Sequence, residues 1–524
     1  APVATLNYAL SIAQPGDTIV VDAGTFAEQV TINKGITIMG AGMNATSIVS
    51  PAIPVVPPPG SFTETGLIQT AQSIGDVHIK DISVTGDASI GLQCIIIQSG
   101  GSVKNCKLIN GNQGIFFRVE SAIKTAVIEN NQIDVPYIGV NCQGSGLTAT
   151  LTNNIINANN PGFSAGVFAG IDFGPLVQFT ATGNAISNYT TNGLLANSYN
   201  SNITQNSLTG VSGKAIESHS GNTPNATCNW YGTKDAELIA SKIAGTINYA
   251  PWLADGTDND AAAIGFQPAS GACTGRQNKF YVNDNDQTGD AFTTAVGNNA
   301  NNGFSTSPFA TIDYAIGVAQ AGDTIYVDAG IHVLPNIGIT KALTFRGPNY
   351  QTSPNNPADK LQTNVARNAE AIISGSTISI LSNNLSFEGF TFDPGDKFAF
   401  ALFNNSATNN DFGNFSYTKN ILKIKTTTNN SQFSLIGKFV TPPGMPVNSG
   451  FSFLDNRFEK ITTAAGSTLQ FAYIKNITVS NNSFVVSGST IRSQQAVLLG
   501  TAGLVDAFTF SNNTVENAST AIGG

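Results

Sequence analysis

Charge is scarce in this chain. Asp, Glu, Lys and Arg make up 11% of its 524 residues, and there are only three histidines and two tryptophans. Lys and Arg number 24 against 33 acidic residues, for a net charge of −9. That balance excludes the clustered cations that a nucleic-acid backbone requires. An acidic polymer would need a bridging cation. No apolar run approaches the ~20 residues that span a bilayer, so direct membrane insertion is not expected. The first residues, Ala1-Pro2-Val3, carry no basic stretch followed by an apolar core, so any signal peptide is expected to lie outside this sequence. There is no Cys-x-x-Cys, which argues against thiolate zinc. A Gly-x-Ser-x-Gly elbow and a Gly-rich phosphate loop are also missing. Apolar residues are not lacking: they form 41% of the chain. Disorder needs the opposite balance, so the chain is folded, with a surface built from Asn, Ser, Thr and Gly. Its length is enough for two or more domains with large cores.

The chain repeats itself. Residues 2–24 read PVATLNYALSIAQPGDTIVVDAG, and residues 308–330 read PFATIDYAIGVAQAGDTIYVDAG, an offset of 306 residues without a gap. A duplication of that length means two similar domains in tandem. The second copy has a lead-in, from Lys279 to Ser307, that the first lacks, so the first copy is expected to begin partway into its unit. In each copy a short helix should cap the first coil. Leu6, Ala9, Leu10 and Ala13 share a face, as do Ile312, Ala315, Ile316 and Ala319, and such a cap covers an edge that invites aggregation.

A shorter period runs beneath. Aligning Val103–Leu108, Ile128–Ile133, Leu151–Ile156, Ala181–Ile186, Ile203–Leu208 and Ala226–Tyr231 gives one column: Cys106, Asn131, Asn154, Asn184, Asn206 and Asn229. Ile82 extends it upstream. In the second copy Phe390 opens the column and Asn420, Asn456, Asn482 and Asn513 follow, with longer loops between. Steps of 22 to 30 residues in the first copy and 26 to 36 in the second, made of short alternating strands and turns without amphipathic helices, fit a parallel β-helix. Its coils stack at the inter-strand spacing of roughly 4.8 Å. Stacked Asn amides can hydrogen-bond along the axis, and their backbones tolerate left-handed turns. Cys106 is expected to be an inward filler. The other cysteines, Cys94, Cys142, Cys228 and Cys273, allow one or two disulfides of open connectivity. Residues after 275 hold 22 of the 31 Phe, which points to a wider core filled by aromatic packing. Trp230 and Trp252 close the first copy as a plug. The expected fold is all-β: two tandem right-handed parallel β-helices over 1–254 and 276–524, joined by a linker at 255–275, with the second copy truncated at its C-terminal end.

These residues resemble right-handed β-helix repeats of the pectin-lyase-like superfamily. The resemblance rests on the Pro-x-Ala-Thr-Ile opening, the Asn-Asn ladders, and Asn229-Trp230-Tyr231-Gly232 followed by Tyr249-Ala250-Pro251-Trp252-Leu253. More narrowly, the chain is similar to repeats of very large secreted and surface-anchored bacterial proteins. Tyr281-Val282-Asn283-Asp284-Asn285-Asp286 is similar to repeats of gliding bacteria that export through the type IX system. The fold hosts lyases, hydrolases and inert stalks alike.

Lyases of that superfamily hold calcium with clustered carboxylates beside a basic residue. The best candidates for such a cluster are Arg118, Glu120 and Asp134, with an exposed ion pair as the simpler reading. Polygalacturonase-like patterns of paired aspartates are missing. His219 follows Glu217 closely enough for a base beside a carboxylate, although a surface turn explains it as well. His78 has no acidic pattern near it, and His332 is expected to face solvent. Asp284, Asp286 and Asp290 alternate as calcium ligands do, and Asp255, Asp258 and Asp260 form a looser group; ordinary Asx turns use the same residues. No other cofactor is expected. Exposed aromatic rows for sugar binding would come from Tyr189, Tyr199 or Tyr417. The leading expectation is a non-catalytic adhesive or architectural segment of an extracellular bacterial surface protein. Its partners would be glycans, external surfaces and further repeats of the same parent. A polysaccharide lyase or hydrolase is the alternative, and a carbohydrate-binding module the third reading.

Overall fold

The computed structural model describes residues 2–56, 64–72, 74–119, 123–159, 164–170, 175–219, 221, 223–375, 377–395, 399–403, 412–425, 433–437, 448–461, 467–486, 493–500, 505–516 and 518–523. Two compact units emerge, Ala1–Arg276 and Gln277–Gly524. Each is a parallel β-helix.

In the first unit eight coils each contribute one strand to each of three sheets, and Ile243–Ala244 adds a ninth to the third, giving 8, 8 and 9 strands. The first sheet starts at Thr18–Val21 and ends at Ser201–Thr204, and the second runs from Gly24–Ala27 to Ser207–Thr209. The third runs from Val30–Ile32 to Ile243–Ala244. Pairing is parallel and in register throughout, as Val103↔Ile128 and Ile128↔Leu151 show. Alternate residues of each first-sheet strand point inward, because side chains change face at every step. Leu147, Ala149 and Leu151 are buried while Thr148, Thr150 and Thr152 between them are half-buried.

The Asn column lies at the corner between the first and second sheets. Asn131, Asn154, Asn184, Asn206 and Asn229 are all fully buried. Each carboxamide oxygen accepts from the coil before it: Asn154 Oδ1 takes the N–H of Asn131 at 3.0 Å and its Nδ2 at 2.9 Å. The same pair of bonds recurs from Asn154 to Asn184, from Asn184 to Asn206 and from Asn206 to Asn229. Cys106 opens the series, its N–H donating to Asn131 Oδ1 at 2.9 Å. The left-handed backbone sits one residue earlier than expected. Asn105, Asn130, Asn153, Gly183, Gln205 and Cys228, each just before a ladder position, take φ between 51° and 70°. One residue turns the corner and its successor supplies the amide.

Each cap is a short helix. Thr5 Oγ1 accepts from Tyr8 N, Leu6 and Leu10 are buried, and Lys34 Nζ donates to the terminal carbonyls of Leu10 and Ala13. Ile312–Val318 repeats this, with Lys341 Nζ reaching the carbonyls of Ile316, Gly317 and Ala319. A cation at a helix C-terminus satisfies carbonyls that lack intrahelical partners.

Residues 255–275 do not behave as a linker. Phe266 is 4% exposed, and its N–H donates to Gly183 O at 2.7 Å. A disulfide joins Cys273 to Cys228 on the last coil. Gly275 and Trp252 exchange backbone hydrogen bonds of 2.8 and 3.0 Å, and Gly256 packs so close to the Trp230 ring that a Cβ would lie 2.2 Å from Nε1. The small residues read as linker-like are what allow the segment to lie flat over the tryptophans.

Cys94, Cys106 and Cys142 are free and buried. Burial pushes their thiols up, to about 11 for Cys94 and about 12 for Cys106 and Cys142. The thiolate is the reactive form, so these three should be inert in the folded protein. Mass spectrometry after iodoacetamide should find none of them labelled under native conditions and all three after denaturation; native labelling of Cys106 would contradict the inward placement.

The second unit has sheets of 8, 7 and 7 strands, and its core is aromatic. Phe345 stacks on Phe387 at 4.5 Å, Phe400 on Phe433 at 4.7 Å and Phe458 on Phe484 at 4.8 Å, close to the coil spacing. Its ladder runs from Phe390 N to Asn420 Oδ1 and on through Asn456 and Asn482 to Asn513.

Candidate functional site

The lyase-like cluster is not assembled. Glu120 lies outside the described residues. Arg118 ends the third-sheet strand Gln113–Arg118, whereas Asp134 ends the second-sheet strand Gln132–Asp134. The corner after Asp134 leads to Ile138, which pairs with Gln113 at the other end of the Arg118 strand. Five strand steps of ~3.3 Å therefore separate that corner from Arg118. Asp134 instead accepts from Asn157 Nδ2 at 2.9 Å.

Asp284 and Asp286 fold their own loop. Asp284 Oδ1 accepts from Asp286 N at 2.7 Å, and Asp286 Oδ1 accepts from Thr288 N at 3.1 Å and Thr288 Oγ1 at 2.9 Å. Asp290 accepts from Asn283 Nδ2 at 2.6 Å; burial, then the neighbouring Asp328 charge, raises its pKa. Asp255 accepts from Thr257 N and Asp258 from Asp260 N, again Asx turns. Among the described residues no group of three His, Cys, Asp or Glu side chains is placed to hold a metal.

His332 is not solvent-facing. It is 5% exposed on the strand Gly330–Val333, and its Nε2–H donates to Asp328 O at 2.9 Å. Burial lowers its pKa, keeping the ring neutral. His78 is exposed, with Nδ1 2.9 Å from Ser102 Oγ. His219 Nε2 lies 2.6 Å from Glu217 Oε1, and Asn192 Nδ2 donates to the other carboxylate oxygen at 2.6 Å. Burial acts to raise the Glu217 pKa, but the hydrogen bonds from His219 and Asn192 outweigh it and the net shift is downward.

Of the three tyrosines expected at the surface, two are core residues. Tyr189 is fully buried, under a glycine column: a Cβ on Gly139 would meet its hydroxyl at 2.8 Å. Tyr417 is fully buried among Phe392, Phe400, Phe433 and Phe453, with ring centroids 5.3 to 6.1 Å away. Tyr199 is the surface aromatic, 58% exposed.

Tyr199 borders a groove of about 310 Å³ near the end of the first sheet. Gln178, Asn200, Asn202, Thr223 and Asn225 line it with carboxamides and a hydroxyl. The sheet's register builds it. Asn202 bridges to Asn225 on the next coil, and Asn225 Nδ2 donates to Asn202 Oδ1 at 2.8 Å. Ser198 Oγ and Ser201 Oγ lie 2.5 Å apart and fix the turn that carries Tyr199, whose N–H donates to Leu176 O at 2.9 Å. Among the described residues that line the groove, none is charged. Amide donors and acceptors next to an apolar ring face suit a neutral polyhydroxylated ligand, which presents hydroxyl edges and C–H faces. The sequence singled out Tyr199 but not the amides, because Asn and Gln are spread along the whole chain and only the stacking collects these.

No protein-family model and no curated protein matches the sequence. Among solved structures, the chain is similar to the catalytic unit of a thermostable GH87 alpha-1,3-glucanase from Streptomyces thermodiastaticus. Identity is 14% and the TM-score 0.26, over 98% of this chain and 66% of that one, just under two thirds of its length. It is also similar to the PL6 family alginate lyase AlyGC, at 12% identity and a TM-score of 0.22, over 99% of this chain and 98% of that one. These likenesses concern the fold alone.

Proposed function

We propose that this chain is a non-catalytic adhesive segment of an extracellular bacterial surface protein, and that it holds neutral glycan chains in the Tyr199 groove. The groove of uncharged amides beside an exposed ring is the observation that carries this reading. The Cys228–Cys273 disulfide supports an oxidising compartment, where such bonds persist. No helix among the described residues is long and apolar enough to cross a membrane. Unbroken parallel sheets with hydrogen-bonded internal ladders suit a shape-holding stalk, since stability in stacked repeats sums over neighbouring coils.

Polysaccharide cleavage is the second reading. The His219–Glu217 pair favours it, because a histidine held by a carboxylate is a usual proton-transfer device. One experiment separates the two. The chain is incubated with pectate, alginate and neutral glucans, with calcium or chelator, while bound polymer and product length are followed. The adhesive reading expects retention of a neutral glycan without shortening, and about a tenfold loss of affinity in Tyr199→Ala, the order of one aromatic contact. Shortened products that disappear in His219→Ala would establish the second reading. Retention unchanged in Tyr199→Ala would remove the groove from the account.

A further inference from the structure

The Tyr199 groove stands at one end of a longer surface. Side chains change face at every step along the first-sheet strands, so alternate residues of Leu147–Thr152, Gln178–Thr182 and Ser201–Thr204 point outward. One outward row takes a single residue from each coil. Thr150 pairs with Thr180, and Thr180 with Asn202. Bridges carry the row on to Asn225 and Asn248. All five residues are polar and uncharged; the two threonines are half-buried and the three asparagines are exposed. Parallel register sets neighbours one coil apart, roughly 4.8 Å, so four spacings give a row about 19 Å long.

The row has a definite start. On the coil before Thr150 its place falls to Val127, an apolar residue. Two residues further on, Glu129 carries a charge and holds Lys104 Nζ at 2.7 Å. Further along, the row runs into the groove. Asn202 and Asn225 belong to both, and Gln178 and Asn200, two residues before Thr180 and Asn202, line the groove beside it. From the groove back to Thr150 the row meets neither a charge nor an apolar side chain. Such a surface suits a chain rather than a single sugar. Pyranoses joined through equatorial bonds form an extended ribbon in which each residue advances by about one coil spacing. Its hydroxyl edge then meets a fresh amide or hydroxyl at every step, and each of these can both donate and accept. Axial linkages coil the chain away from a straight row.

We propose that the ligand of the Tyr199 groove is an extended, equatorially linked neutral glycan lying parallel to the β-helix axis, with five sugar subsites at Thr150, Thr180, Asn202, Asn225 and Asn248. The inference rests on the glycan reading of the groove and adds the linkage class, direction and length of the ligand. Tyr199 supplies the apolar contact with a C–H face. The row supplies one polar contact for each successive sugar. The next outward row, Thr152, Thr182 and Thr204, lies on the far side from Tyr199 and takes no part.

The test is titration calorimetry of the full chain with β-1,4-linked gluco-oligosaccharides of two to six residues, and with α-1,4-linked maltohexaose as the coiled counterpart. Affinity should rise with each residue up to five, by about tenfold or more overall, and level at six. Thr150→Ala should weaken the pentasaccharide about fivefold, the worth of one hydrogen bond, with no comparable loss for the disaccharide, which ends short of it. Thr152→Ala, on the same strand, should change neither. Tyr199→Ala should weaken every length about tenfold. Tryptophan fluorescence of each variant reports that the first unit is folded. Equal affinity for disaccharide and pentasaccharide, with the Tyr199 dependence kept, would overturn the axial chain and leave the groove reading standing. Maltohexaose bound as tightly as the β-linked hexasaccharide would overturn the linkage class. Binding at no length, or binding indifferent to Tyr199→Ala, would overturn the groove reading and this inference with it.

Discussion

Asn154→Leu is expected to destabilise the first unit by about 4 kcal/mol, within a range of roughly 2–6 kcal/mol set by two orphaned donors. The side chains are similar in volume, so the cost is polar rather than steric. Leucine removes the acceptor of Asn131 N and Asn131 Nδ2. It also removes the donor to Ile128 O and to Asn184 Oδ1. All of these groups are buried beyond the reach of water, and a buried donor without a partner keeps its whole desolvation penalty. The effect should be largest at mid-ladder, because Asn154 has an amide neighbour on both sides. Asn225→Ala, which breaks exposed hydrogen bonds with Asn202 and Thr227, should change stability by under about 1 kcal/mol. Both tryptophans lie in the first unit, so tryptophan fluorescence during guanidinium unfolding reports that unit alone. A change below about 1 kcal/mol for Asn154→Leu would mean that the ladder fills space without specifying register.

The same ladder explains what could be read from the sequence. An amide column needs one residue type at one position per coil, and any departure leaves buried groups unpaired. Cys106 and the Asn series therefore stand out even when loops vary the step from 22 to 30 residues. The capping helices were legible for a similar reason, since Leu6 and Leu10 repeat as Ile312 and Ile316. Third-sheet positions follow no such rule. Tyr189 reads as a surface aromatic because the cavity it fills is made by glycines one and two coils away, and absent side chains leave no pattern. Residues 255–275 were read as a linker from small polar composition. Phe266 and Cys273 were the signals against that reading, and neither discloses its partner without the fold. The Arg118 and Asp134 pairing failed because adjacency of coils in sequence does not tell which sheet carries a residue. Tyr199 was legible as a candidate surface aromatic, but its amide neighbours are collected by stacking of residues 22 to 47 positions apart.

Phe433→Ala should cost the second unit about 3–5 kcal/mol, the range for deleting a buried aromatic ring. Phe433 is 0% exposed and stands at the centre of the aromatic core. It stacks on Phe400 at 4.7 Å and meets Phe453 edge-on at 5.0 Å, Tyr417 at 5.3 Å and Phe415 at 6.0 Å. Rings held this way resist collapse into a void, because each is fixed by contacts with the coils above and below. Phe433→Leu separates the two contributions. It retains most of the apolar burial and loses the ring pairing, so it should cost about 1–2 kcal/mol, the scale of one or two aromatic contacts. The second unit contains no tryptophan, so its transition is followed by far-UV circular dichroism, with tryptophan fluorescence as the internal reference for the first unit. A lowered transition with the tryptophan signal unmoved would show that each β-helix melts on its own core. Equal losses for Phe433→Ala and Phe433→Leu would mean instead that ring geometry, rather than buried volume, decides the stability of this stack.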